Sequence, residues 1–485
     1  MLYTAYEMQR SWLNAASTMA SVGAELLSNP ALPFGYTGLG PVMASALEVF
    51  AHASAPYGKP AFDIETVTVD GTTYPVTEAI VMHRPFGNLL RFTHPGLPKQ
   101  APRLLIVAPM SGHFATLLRG TVARMIERCE VYITDWADAK MVPLEAGRFD
   151  LDDYIDYVVG YLEHIGQTNN GERAHMLAVC QPSVPALAAT ALMNAQKHPC
   201  RPLSLTMMGG PVDTREAPTS VNDLAMQRPI EWFRNTVIAT VPFQYPGAGR
   251  RVYPGFLQLA GFMSMNLGNH MQSHYHMFKH LVAGDGDSAE ATKAFYDEYR
   301  AVCDMTAEFY LQTIDVVFQT HALPKGEYLH RGERVDPGAI KQTALLQIEQ
   351  QRRHRLIELP TFVFEPMVER FVLAGAVRVP SPIVQLHVAD APFDQPPREQ
   401  DALAEGVPAV SPALLLRNPR RNLVCGQRDS PPDRRRRSVS RDCRTLTKRR
   451  RLPRSAARDL SGERDSLCLL APGTGELPSL SETGT

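Results

Sequence analysis

A thiol stands where an apolar, strand-like run, His175 to Val179, meets a helix-like run rich in small residues, Val184 to Lys197. Cys180 at this junction occupies the place of a nucleophile elbow, a sharp turn that exposes its side chain in front of helix N-terminal amides. Such amides lower a thiol pKa and stabilise a developing oxyanion, so a cysteine there suits acyl transfer. The glycines that usually flank such a nucleophile are replaced by Ala178 and Pro182. On this local pattern alone Cys180 reads first as a buried strand-end cysteine.

A second strand, turn and helix, Leu104 to Arg119, places Ser111-Gly112-His113 in its turn. In α/β-hydrolases the corresponding loop supplies one oxyanion-hole amide. His113 reads equally as a capping or loop histidine. Asp135-Trp136, closing the next strand, could line a pocket, although an aspartate capping the following turn is the plainer reading. His270, His274, His276 and His280 cluster in a Met- and aromatic-rich stretch, but acyl transfer needs no metal, so neither a metal nor another cofactor is expected.

These residues need a scaffold. Short apolar runs at Leu104–Ala108, Val131–Thr134, His175–Val179, Ser204–Met208 and Thr343–Ile348 alternate with helical runs at Ala115–Arg128, Leu151–Gly166 and Val184–Lys197. That rhythm predicts an α/β fold, a mostly parallel sheet with helices on both faces, whose sites lie at the C-terminal strand ends. Before it come helical runs at Tyr3–Leu27 and Met43–Phe50, and an alternating stretch, Phe62–Thr93, that predicts one antiparallel strand pair turning at Thr68–Thr73. From Thr219 to Arg300 the strand rhythm stops, as for an inserted helical cap. The predicted organisation is a helical segment over 1–60, a core over 61–218, a cap over 219–310, a return to the core over 311–349 and a tail over 350–485.

Composition isolates the tail. Residues 1–349 carry 26 Lys and Arg against 34 Asp and Glu, whereas residues 350–485 carry 23 against 16. All 16 tyrosines and all three tryptophans precede residue 350, and 15 of the 39 prolines follow it. Such a segment offers little apolar surface to offset chain entropy, which predicts low order. The arginine clusters at Arg434–Arg437 and Lys448–Arg451 lack interleaved aromatics and read as solvated charge, so no nucleic-acid partner is expected. Seven scattered cysteines without CxxC spacing suit a reducing compartment, and neither a signal segment nor a membrane-spanning run is visible, which together predict a cytoplasmic protein.

Ala108 to Val122, Ile133 to Trp136, Ala178 to Pro182, Leu205 to Arg215 and Val252 to Asn266 closely resemble segments of intracellular poly(3-hydroxybutyrate) depolymerases, members of the polyhydroxyalkanoate depolymerases. The resemblance covers roughly residues 1–349. It implies an α/β-hydrolase with a helical cap that cleaves polymer esters at cytoplasmic granules, with Cys180 as nucleophile and amides near Ser111 and from Gln181 binding the oxyanion. It also implies a granule surface as partner and leaves water or coenzyme A as acyl acceptor. The Met-, Phe- and Tyr-rich region Phe256–Phe278 would offer an apolar surface to granules, or simply pack a cap. Related polyhydroxyalkanoate synthases keep a glycine-rich elbow, so Cys180-Gln181-Pro182-Ser183 favours a depolymerase.

The resemblance breaks after Glu349. The family supplies its triad aspartate in a segment resembling Glu-Gly-Glu-x-Asp-Asp-Ile and its histidine in one resembling Gly-His-Tyr-Gly; here the chain reads Gln350-Gln351-Arg352-Arg353-His354, and His-Tyr-Gly never follows. Written CGA-CGA-CAT-C, Arg352-Arg353-His354 read one nucleotide out of frame gives Asp-Asp-Ile, which predicts a frameshift near codon 350. His387 lies where a triad histidine falls by distance, but its neighbours do not match. The alternatives are a granule-binding protein without hydrolytic activity and, further off, a polymer synthase.

Overall fold

The apolar runs pair into one sheet because a strand buried on both faces satisfies its backbone only through its neighbours. The computed structural model describes residues 2–29, 31, 39–216, 219–350, 384–388, 417–418 and 421–422, all within a compact unit spanning Met1–Cys425. In chain order the elements are α1 (Leu2–Ser28), α2 (Leu39–Ser54), β1 (Thr66–Val69), β2 (Thr72–Pro75), β3 (Thr77–Arg84), β4 (Gly87–Thr93) and β5 (Arg103–Val107). A 3-10 turn, Ala115–Leu118, leads into α3 (Arg119–Met125), then β6 (Glu130–Trp136), α4 (Leu151–Thr168), β7 (His175–Val179), α5 (Ser183–Ala195) and β8 (Ser204–Met208). The inserted region holds α6 (Ser220–Gln227), α7 (Ile230–Thr236), β9 (Ala239–Thr240), β10 (Arg251–Tyr253), α8 (Gly255–Met265), α9 (Leu267–Ala283), α10 (Gly286–Arg300) and β11 (Met305–Thr306). The chain returns through α11 (Ala307–Thr313), a π-helical stretch at Ile314–Gln319, α12 (Ala322–Lys325), β12 (Leu329–His330), β13 (Glu333–Arg334) and β14 (Ala344–Gln350). Three further strands are β15 (Val384–Val388), β16 (Arg417–Asn418) and β17 (Arg421–Asn422).

The central sheet runs β3-β4-β6-β5-β7-β8-β14-β15. β4 is antiparallel to both β3 and β6, while every pair from β6 to β15 is parallel. This order, with one reversed strand second from the edge, is the α/β-hydrolase fold. The chain leaves β5 toward β6 and then returns across it to β7, so right-handed crossovers place α3 on one face and α4 and α5 on the other. Ligands in such sheets bind in the crevice where the direction reverses, outside the strand ends. Here that crevice lies between β5 and β7.

Helix α4 shows how firmly the frame is specified. Asp150 caps it by accepting from the Asp153 amide at 3.0 Å while the Asp153 carboxylate accepts from the Asp150 amide at 2.8 Å, a reciprocal capping box. Leu151, Tyr154, Ile155, Val158, Leu162 and Ile165 then recur at helical spacing and are buried. Tyr154 stacks on Phe309 of α11 with centroids 5.6 Å apart.

Three expectations are corrected. The stretch Phe62–Thr93 forms two hairpins, not one: Asp70 and Gly71, both at positive φ, turn β1 into β2, which stand apart from the central sheet, and β3–β4 is a second hairpin that joins it. The capping region is not wholly helical, because β9, β10 and β11 form a small antiparallel sheet from strands too short to show a period in sequence. Finally, the sheet does not stop at β14: β15, within the predicted low-order tail, pairs with it in parallel. An edge strand offers unpaired backbone groups, and those of β15 meet them. The rest of that tail, β16 and β17 aside, lies outside the described residues.

Candidate active site

The elbow follows from the sheet. β7 ends at Val179 and α5 starts at Ser183, so three residues must reverse the chain, and Cys180 does so at φ 66°, in the left-handed region that a residue with a side chain rarely enters. Its amide donates to the Met208 carbonyl at 2.7 Å and its carbonyl accepts from the Ser183 amide at 3.1 Å. Neither missing glycine is required: Ala178 is small enough to be fully buried in β7, and Pro182 holds φ −63° at the helix N-cap, which suits its ring. The close approach is instead made possible by Gly210. A Cβ there would stand 2.0 Å from Ser183 Oγ and 2.9 Å from the Cys180 carbonyl oxygen.

Cys180 is exposed, so it is not a buried strand-end cysteine. Burial by the surrounding protein pushes the thiol pKa above its ordinary value, against the pull of the Gln181 backbone amide. Among the described residues, no cationic partner lowers it. The thiol is sterically presented and electrostatically unactivated.

Register brings the second loop alongside, since Val107 of β5 pairs with Ala178 of β7. The Met110 amide donates to Gln181 Oε1 at 3.1 Å, tying the loop of Ser111, Gly112 and His113 directly to the elbow. The loop is anchored behind: the Ala108 amide donates to Thr134 Oγ1 at 2.9 Å, and the Ala108 carbonyl accepts from Trp136 Nε1 at 2.8 Å and from the Tyr154 hydroxyl at 3.1 Å. In front, the Gly112 carbonyl accepts from the Cys303 amide at 2.6 Å. Gly112 lies at φ 109° with the buried Gln258 amide against it, leaving no room for a Cβ. The His113 ring turns to the Tyr299 carbonyl at 2.9 Å and packs against Phe262; burial lowers its pKa, the carbonyl opposing, and keeps it neutral. It fastens the loop to α10.

Asp135 neither caps a turn nor stands alone. It is buried and pairs with Lys59 Nζ at 2.5 Å, and Asp138 caps the turn instead. Among the cap histidines, His270 contacts the Tyr296 hydroxyl at 3.0 Å, His274 Nδ1 the His270 carbonyl at 2.8 Å and His280 Nδ1 the Asp285 carboxylate at 2.9 Å. Among the described residues, no group of three or more His, Cys, Asp or Glu could hold a metal ion, and no helix is long and apolar enough to cross a membrane. Residues 351–383, which hold His354, lie outside the described residues. His387 stands on β15 in register with Glu349. Sequence reasoning missed Gly210, Trp136 as an anchor and Lys59; only the first left a signal, the paired glycines 209 and 210 directly after a strand.

The 2-hydroxy-6-oxo-6-phenylhexa-2,4-dienoate hydrolase from Rhodococcus sp. strain RHA1 is similar at 10% identity over 60% of this chain and 86% of its own, with a TM-score of 0.30. Naproxen esterase from Bacillus subtilis is similar at 13% over 65% and 84%, TM-score 0.27, and the enol-lactonase from Burkholderia xenovorans LB400 at 13% over 63% and 87%, TM-score 0.27. No curated protein matches the chain. Residues 209–354, beginning directly after β8 and running past β14, match the family described as PHB de-polymerase C-terminus.

Proposed function

We propose that this chain is built as an intracellular polyhydroxyalkanoate depolymerase that cleaves poly(3-hydroxybutyrate) esters through Cys180, and that it lacks the acid and base needed to turn over efficiently. The observation that carries this is Cys180 at φ 66° between β7 and α5, locked by Gln181 to the Met110–His113 loop, on a chain whose residues 209–354 match the depolymerase family. In the proposed reaction the Cys180 thiolate attacks the ester carbonyl, and amides near Ser111 and from Gln181 take the oxyanion. The C–O bond then breaks, the alkoxide leaves as a chain-end hydroxyl, and water releases the thioester as a hydroxy acid. Coenzyme A as acceptor would give a hydroxyacyl thioester instead. No cofactor enters either route, and the workplace is the surface of cytoplasmic granules.

The test is hydrolysis of amorphous poly(3-hydroxybutyrate) granules by this chain, by a version with the reading frame corrected after codon 350, and by the corrected Cys180→Ala variant. Release of hydroxybutyrate by the corrected chain alone, abolished in Cys180→Ala, supports the reading. Equal activity of the chain as written would overturn its second half, and activity surviving Cys180→Ala its first. Granule binding without hydrolysis by any version would leave a binding protein.

A further inference from the structure

Helix α1 carries an apolar stripe that the described residues leave bare. Tyr3, Ser17, Ala20 and Ala24 are its buried residues, and α2 covers that side: Ser17 Oγ donates to the Ala51 carbonyl at 2.7 Å, and a Cβ on Gly23 would touch Leu47 at 3.0 Å. On the other side Met8, Trp12, Met19, Val22 and Leu26 are 63%, 75%, 78%, 52% and 54% exposed, and Ala15 is exposed between them. The six positions, 8, 12, 15, 19, 22 and 26, advance by four and three residues in strict alternation. Five steps over 18 residues average 3.6, so the six positions lie on one face of a straight helix, with the alternating spacing by which one helix packs against another.

We infer that α1 is a self-association helix, pairing antiparallel with α1 of a second copy of this chain. About the helix centre, antiparallel pairing sets Met8 against the second copy's Leu26, Trp12 against Val22 and Ala15 against Met19, so that large side chains meet small ones in two of three layers. Parallel pairing would oppose tryptophan to tryptophan and alanine to alanine. The flanking positions Ser11, Ala16 and Thr18 are small enough for close approach, and no charged residue occurs between Arg10 and Glu25. At about 150–250 Å² for the largest side chains, the stripe exposes on the order of 600 Å² per copy. That approaches the ~800 Å² each partner contributes to a stable interface, and it reaches the upper limit of apolar patches on ordinary monomers.

Sedimentation velocity of the full chain across a concentration series tests this. A reversible dimer is expected, and Met19→Glu with Val22→Glu should weaken it at least about a hundredfold by burying unpaired charge. Phe243→Glu, at a residue 92% exposed elsewhere, should leave it intact. Cross-linking guards against a variant that fails to fold: an equimolar mixture of Ala15→Cys and Met19→Cys chains should form the mixed disulfide under mild oxidation, identified by mass spectrometry, in preference to either homodimer. A chain monomeric throughout, or a dimer indifferent to the double substitution, overturns the inference. So does a monomer whose α1 substitutions change only its adsorption to polyester particles, which would make the stripe a surface anchor.

Discussion

Gly210→Ala isolates the contact on which the elbow depends. The new Cβ would stand 2.0 Å from Ser183 Oγ, 2.1 Å from Ser183 Cβ and 2.9 Å from the Cys180 carbonyl oxygen. None of these atoms is the free end of a flexible side chain. Relief therefore requires α5 to move away from β8, and α5 is buried along nearly its whole length. Overpacking of this kind costs about 1–3 kcal/mol, and with backbone involved the upper half of that range is expected. In a domain of this size that lowers the melting temperature by roughly 3–4 °C. Ser183→Gly removes two of the three clashes and loses no hydrogen bond, since Ser183 Oγ has no partner. The double variant should therefore recover at least about 1 kcal/mol relative to the sum of the single effects, a coupling that a thermal-unfolding double-mutant cycle reads directly. Alkylation of Cys180 in the same proteins reports whether the elbow geometry shifted. A Gly210→Ala chain melting within about 1 °C of the parent, or strictly additive effects, would refute this account of the elbow.

Iodoacetamide should modify exposed Cys180 well ahead of buried Cys303, with a pH midpoint above the roughly 8.5 of a free thiol, since burial raises the Cys180 pKa; a midpoint below that value would reveal an activating base. Asp150→Ala should cost about 1 kcal/mol at neutral pH through loss of the α4 cap. Burial works to raise the Asp150 pKa, but the Asp153 amide and Arg148 outweigh it and hold it low. Its stabilisation is therefore present above the unfolded value of about 3.9 and lost as pH falls through the lower folded value, so parent and variant should converge in acid. Asp304 behaves oppositely: burial and the neighbouring Asp138 push it up to about 6, although Tyr3 donates to it at 2.6 Å. Its contribution is complete below about pH 3.9 and declines as pH rises through 6, so the stability of the parent relative to Asp304→Asn should fall across that window; a flat difference in chemical denaturation would contradict the assignment.

The sequence by itself determined the frame. Strands β5, β7 and β8 are legible because burial on both faces makes them short and mostly apolar, and α4 because its cap and apolar stripe are encoded in one continuous segment. The place of Cys180 was legible for the same local reason, since a strand, a three-residue turn and a helix follow one another directly in sequence. What the tertiary structure alone decided are relations between distant segments. Lys59 neutralises Asp135 across 76 residues, Tyr3 reaches Asp304 across 301, and the loop after β5 meets Gln181 across 71. No local period records such partners, because a charge or an amide is satisfied by whichever group the fold delivers. The split of one predicted hairpin into two, and the addition of β15 to the sheet, have the same origin: pairing is settled between strands, while periodicity belongs to each strand alone.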